Sequence, residues 1–287
     1  MSGAIRIACI QNCAEREIAP NIAPIVDLVR SAAKAGADLI ALPEMAGLFE
    51  PIPAKLLATA QAEAKDPFLA ACRDLARETG KWILVGSQLF KEPGRGRVVN
   101  RSLMLNPAGE ITARYDKLHL FDVDLARGES YKESATVEAG QRAQLAATPW
   151  GLLGMSICYD LRFAYLYRAL AQAGAALLTI PAAFTYTTGK AHWHVLVRAR
   201  AIETGCFVIA PNQTGTHAEG RRTFGHSLIV DPWGEVLADG GEDVGFVTAE
   251  LDLAKVIEAR QMIPALRHDR DFPAPSVPIR AEALAGE

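Results

Sequence analysis

The sequence predicts a layered α/β protein with covered sheets, on three observations: strand-like and helix-like runs alternate along the chain, the alternation restarts near Leu152, and half of the 287 residues are hydrophobic. Patterning alone leaves a sandwich and a doubly wound sheet both open. The opening is β-α-β: Ile5 to Ile10 is a strand, Ile22, Ile25, Val26, Val29 and Ala33 recur at helical spacing, and Asp38 to Leu42 is a second strand. A helix from Pro67 to Glu78, a strand from Trp82 to Ser87 and a hairpin from Arg101 to Tyr115 across Asn106-Pro107-Ala108-Gly109 follow. Phe121 to Gly140 is charged and rich in glycine and serine, the composition of a long loop, and such loops inside a compact domain belong to functional sites more often than to linkers. The second half gives strand Leu152 to Ile157, helix Phe163 to Ala173, strand Ala176 to Ile180, helix Ala191 to Thr204 and strand Cys206 to Ala210. A hairpin around Asp231-Pro232-Trp233-Gly234, a strand Gly245 to Leu251 and a helix Leu253 to Met262 close the pattern. No linker or short repeat interrupts it, so the expectation is one domain over 1–287 with 265–287 as a C-terminal tail.

Charge and composition exclude several partners. The formal net charge is -3, and basic clusters such as Arg221-Arg222 and Arg267 to Arg270 are short, which argues against nucleic acid. No apolar run approaches the roughly 18 residues of a spanning helix, so no membrane association is expected. Met1 to Gln11 reads as a strand and not as a signal peptide, and the five cysteines (Cys9, Cys13, Cys72, Cys158, Cys206) are scattered, odd in number and without a C-x-x-C pair. Reduced thiols and a cytoplasmic location are the expectation.

In layered α/β proteins, reactive side chains gather where strands end, because the strand fixes the backbone and the loop leaves the side chain reachable. Three polar residues stand there: Glu44 after Leu39-Ile40-Ala41-Leu42-Pro43, Lys117 after Ile111 to Tyr115, and Cys158 after Leu152 to Ile157. A thiol to attack a carbonyl, a carboxylate to take its proton and a fixed cation for the oxyanion form the set that amide hydrolysis requires. The helix expected after Cys158 would aim free N–H groups at the sulfur and lower its pKa. A histidine-paired thiol using His192 or His226 lacks the fold signals of that class, G-x-S-x-G fails at its last glycine in Gly154-Met155-Ser156-Ile157-Cys158, and His192-Trp193-His194 on a helix points its two rings apart, so no metal is expected.

Leu42-Pro43-Glu44, Tyr115-Asp116-Lys117-Leu118-His119-Leu120 and Gly154-Met155-Ser156-Ile157-Cys158-Tyr159-Asp160-Leu161-Arg162-Phe163 together resemble the nitrilase superfamily, and further matches (Pro181 to Phe184, Ala191-His192-Trp193, Arg198 to Glu203, Gly225-His226-Ser227, Asp231 to Gly234) extend the resemblance over nearly the whole chain. It implies a four-layer α-β-β-α sandwich, no cofactor, and a homodimer or higher homo-oligomer. It also implies Cys158 as nucleophile, Glu44 as general base, Lys117 as oxyanion stabiliser and Glu133, preferred over Glu129, as a second glutamate, with Tyr159, Arg162, Phe184 and Thr185 lining the substrate site. Lys117 to Asp122 and Gln213 to His217 are similar to the Nit branch. The implied substrate is therefore a small 2-oxo dicarboxylic acid amide, deaminated glutathione ahead of 2-oxoglutaramate, with N-carbamoyl amino acids and nitriles as alternatives. Arg162 is placed to pair with a substrate carboxylate. Two departures, Ala164-Tyr165 in place of proline-glutamate and Lys190 in place of proline, touch no catalytic position. Outside enzymes, the same sandwich would serve a catalytically silent binding module.

Overall fold

Alternate residues of the first strand look to opposite sides. In the computed structural model, which describes residues 4–92, 94, 96–125 and 130–273, Ile5, Ile7 and Cys9 face one core while Ala8 and Ile10 face another. Leu39 and Ala41 against Ile40 and Leu42, and Leu84 against Ile83 and Val85, repeat the division. A strand of period two that is apolar on both faces must be covered on both, which is why these runs read as nearly continuous hydrophobic stretches.

The first sheet runs Gly245–Asp252, Ala4–Gln11, Leu39–Ala41, Trp82–Lys91, Val98–Leu105, Ile111–Asp116, with Gln61–Ala62 beside the fourth of these and Val137–Glu138 beside the fifth. The second runs Gln144–Thr148, Gly151–Met155, Ala175–Thr179, Phe207–Ala210, Leu228–Val230, Val236–Asp239. Helices Ile18–Lys34 and Pro67–Thr79 cover the outer face of the first sheet through Ile25, Val29, Phe68, Leu69, Cys72 and Leu75. Helices Ala164–Gln172 and Tyr186–Thr204 cover the second through Leu166, Tyr167, Leu170, Trp193 and Val197. One core cluster contains Ile7, Leu84, Met104 and Tyr115 together with Leu153, Met155 and Leu177, so the two sheets pack face to face. The architecture is the four-layer α-β-β-α sandwich.

Helix boundaries follow local chemistry where signals exist. Asp66 caps Pro67–Thr79 by accepting from Leu69 N–H at 2.7 Å, Pro67 occupies a position where its missing N–H costs nothing, and Gly80 ends the helix at φ 65°. Two segments differ from expectation most plainly. The helix expected at Ala191 begins at Tyr186, because its first turn is held by contacts far along the chain: a Cβ on Gly189 would lie 2.4 Å from Phe224 Cβ, and Phe224 N–H donates to Phe184 O at 2.9 Å. Threonine and glycine are poor helix formers, and packing overrides them here. Phe121 to Gly140 is also not simply loop: Asp122–Asp124 pairs with Ser130–Lys132, and a 3₁₀ turn Glu133–Ala135 precedes Val137–Glu138. Glu129 and residues 274–287 of the tail lie outside the described residues. The described start of the tail is docked, since Arg168 donates to Ala265 O at 2.8 Å and Gln172 to Leu266 O at 3.1 Å. Among the described residues, no helix is long and apolar enough to cross a membrane.

Candidate active site

Glu44 and Lys117 follow strands of the first sheet, and Cys158 follows Gly151–Met155 of the second. All three are buried where the sheets meet, with residue exposures of 2%, 2% and 7%. Lys117 Nζ donates to Glu44 Oε1 at 2.9 Å and to Glu133 at 2.9 and 3.1 Å. A buried ammonium between two carboxylates is tolerable only because each charge is paired and hydrogen-bonded. Asn100 Nδ2 donates to Glu44 Oε1 at 2.9 Å and to Glu133 Oε1 at 3.3 Å, Ala183 N–H donates to Glu44 Oε2 at 2.9 Å, and Phe121 N–H fixes Glu133 Oε2 at 2.6 Å. The long segment after the hairpin thus brings Glu133 back to Lys117.

Cys158 is held in a left-handed backbone conformation, φ 47°, which non-glycine residues seldom adopt. Its N–H donates to Pro181 O at 2.9 Å. The carboxylate of Asp160, fully buried, pins this turn: it accepts from Ile157 N–H (2.9 Å) within the turn, and from Tyr115 OH (2.6 Å) and His119 N–H (3.0 Å) on either side of Lys117. One side chain therefore ties the backbone of Cys158 to that of Lys117.

The electrostatics assign protons. Burial alone would raise the Glu44 carboxyl, but the Lys117 ammonium and hydrogen bonds from Lys117, the Cys158 thiol and Ala183 N–H override it and hold it below its usual value. Burial would lower the Lys117 ammonium, yet Glu133 and Glu44 hold it well above its usual value. The Cys158 thiol is pushed far up by burial and by Glu44, with Lys117 pulling the other way and not prevailing. The expectation of a thiol lowered by a helix terminus is thus corrected: Cys158 opens a short 3₁₀ turn, Cys158–Arg162, and a carboxylate is its neighbour. At neutral pH the group is a thiol donating to a carboxylate.

A cavity of about 320 Å³ opens onto this group. Tyr159, Phe184 and Thr185 line it with Glu44, Lys117, Glu133 and Cys158, while Arg162 does not. The Arg162 guanidinium stands beside the cavity wall, 5.4 Å from the Phe184 ring centre and 5.8 Å from that of Tyr159, and pairs with no acid among the described residues. Asp160, its nearest acid in sequence, is committed elsewhere. Neither histidine of the rival thiol pairing is at the sulfur: His192 lies 3.4 Å from Arg162, and His226 pairs with Asp239 at 2.8 Å. Among the described residues, one cluster, His194, His226 and Asp239, brings three possible metal-ligand atoms within 4.8 Å of one another. It lies outside the cavity lining, with both imidazoles already on the carboxylate.

Sequence reasoning missed Asn100, Asp160 as the pin, and Arg221, which also lines the cavity. The signal for Asn100 was a lone amide in the apolar run Val98 to Leu105. Arg221 carried none, because a two-arginine surface cluster and a pocket arginine look alike in sequence.

Comparison with known proteins agrees with the geometry. Residues 6–261 match the carbon-nitrogen hydrolase family. A deaminated glutathione amidase from Synechocystis sp. is 43% identical over 91% of this chain and 96% of its own. The C. elegans NitFhit protein superposes with a TM-score of 0.88 at 36% identity, covering 94% of this chain and 66% of that longer one. A glutamate-to-glutamine mutant of an amidase from Nesterenkonia sp. AN1, carrying the acetamide moiety of fluoroacetamide covalently added at its active-site cysteine, gives 0.76 at 27% identity over 90% of this chain and 94% of that one. The chain belongs to the carbon-nitrogen hydrolases of the nitrilase superfamily and is an enzyme that cleaves amide C–N bonds.

Proposed function

We propose that the chain hydrolyses deaminated glutathione through a thioester on Cys158. The observation that carries this reading is the Glu44–Lys117–Glu133 group set against a protonated thiol in a cavity of about 320 Å³, and the similarity to deaminated glutathione amidases supplies the substrate. As sulfur attacks the amide carbon, Glu44 takes the thiol proton, a C–S bond forms, and the oxyanion is received by the Lys117 ammonium and Tyr159 N–H. Glu44 then gives that proton to the amine as the C–N bond breaks, and cysteinylglycine leaves. Water attacks the thioester, losing a proton to Glu44. The C–S bond breaks, 2-oxoglutarate is released and the sulfur regains its proton. Glu133 acts through Lys117, fixing the ammonium and keeping it charged. Arg162 reaches a substrate carboxylate from the cavity edge.

The adduct at the cysteine of the Nesterenkonia amidase supports the nucleophile, and five unpaired cysteines suit a reducing cytoplasm. Val195 and Ile202, seven residues apart and therefore on one face of their helix, are 67% and 54% exposed, with Trp233, Met262 and Ile263 also exposed. This apolar outer face supports a homodimer. The test of substrate is 2-oxoglutarate release from deaminated glutathione and from 2-oxoglutaramate. A higher kcat/KM on the former is expected, and preference for 2-oxoglutaramate would reassign the chain as an omega-amidase.

A further inference from the structure

Arg221 lines the cavity and pairs with no acid among the described residues. Its guanidinium lies between two rings, 4.7 Å from the centre of Phe49 and 4.9 Å from that of Tyr131, and its Nε is buried with no acceptor among the described residues. Nearby carboxylates are committed: Glu50 accepts from Arg16 at 2.8 and 3.0 Å, and Glu219 accepts from the same guanidinium at 3.2 Å. Behind Phe49 the stacked His217 ring adds no charge, because burial brings its imidazole down to about 4. Aromatic stacking orients a guanidinium but leaves its fork of donors unsatisfied, and a buried donor without acceptor costs stability unless a ligand supplies one.

The position relative to Arg162 matters as much. A row of aromatic contacts joins the two arginines: Tyr131 to Phe121 at 5.2 Å, Phe121 to Tyr159 at 5.2 Å, then Arg162 beside Tyr159. Cys158 adjoins Tyr159 in this row. Arg221 in the cavity lining and Arg162 beside the cavity wall thus stand at the two ends of a row of aromatic rings that includes Tyr159, which suits an amide flanked by two carboxylates better than one with a single carboxylate.

We propose that Arg221 is a specificity-determining residue that binds a substrate carboxylate remote from the scissile amide. This rests on the reading of the substrate as deaminated glutathione, whose two carboxylates lie one on the acyl part and one on the leaving group. The test is a cycle of enzyme and substrate changes: wild type, Arg221→Gln and Arg221→Lys, each against deaminated glutathione, its glycine-carboxamide analogue, and 2-oxoglutaramate. Loss of a charge-assisted, forked contact predicts a KM roughly 10- to 100-fold higher on deaminated glutathione with kcat little changed, and only partial rescue by lysine. Insensitivity of the carboxamide and of 2-oxoglutaramate assigns Arg221 to the leaving-group carboxylate, whereas retained sensitivity on both assigns it to the acyl carboxylate. Equal losses in kcat on all three substrates would reduce Arg221 to a structural clamp between Phe49 and Tyr131 and overturn the proposal, as would unchanged KM throughout. If the wild type turns over none of the three, the substrate reading itself fails. Binding of cysteinylglycine and of 2-oxoglutarate to wild type and Arg221→Gln, measured by calorimetry, then decides Arg221 independently: weaker binding of either carboxylate in the variant keeps the proposal, and equal binding overturns it.

Discussion

At the scale of single residues, the reactive group works because opposite shifts meet. Glu44 is held below and Cys158 well above their ordinary values of 4.5 and 9.0, so carboxylate and thiol coexist over a wide range. The sign of each limb follows. Activity falls in acid as Glu44 gains a proton, below the usual carboxylate value because its pKa is lowered. On the alkaline side neither Cys158 nor Lys117 titrates until above the ordinary thiol value. We therefore expect kcat/KM to be flat from about pH 5 to about pH 9, apart from ionisation of the substrate itself. An enzyme-borne inflection near pH 7 would point to a histidine partner or a depressed thiol. Glu44 also adds stability that is fully present above its unfolded value and is lost as pH falls through its folded one, so acid should weaken fold and activity together.

Elements of structure explain what was legible and what was not. Strands of the first sheet and the hairpin across Asn106 to Gly109 could be read because periodicity, turn chemistry and caps are local; Asn106 Oδ1 accepts from Ala108 and Glu110 N–H at 3.0 and 2.9 Å. Glu44 and Cys158 stood out because each follows an apolar strand with a polar atom, and Lys117 because it follows the second strand of the hairpin. The fold of 121–140 was not legible, since its short strands exist to return Glu133 to Lys117 and carry no period long enough to detect. The early start of Tyr186–Thr204 depends on Gly189 fitting against Phe224, a contact between residues 35 apart in sequence. Asp160 passed only as one residue of the stretch after Cys158, because its carboxylate partners, Ile157 N–H, Tyr115 OH, and the His119 N–H and ring, come from segments far apart in the chain.

On the scale of the whole molecule, the site exists only where the two sheets meet: Glu44 and Lys117 come from one and Cys158 from the other, so packing of the sandwich assembles the chemistry. Among the described residues, nothing covers the outer face bearing Val195 and Ile202. Light scattering after size exclusion should give twice the 30.9 kDa chain mass or a multiple of it, and Val195→Glu with Ile202→Glu should shift it toward one chain. A wild type that is monomeric at micromolar concentration would contradict the dimer. Catalysis here stands on the covalent step at Cys158. Its most direct test is peptide mass spectrometry of enzyme quenched in acid during turnover of deaminated glutathione. A 2-oxoglutaryl adduct on the peptide carrying Cys158, absent from Cys158→Ala together with turnover, is the result predicted; an adduct on another residue, or turnover surviving in Cys158→Ala, would contradict it.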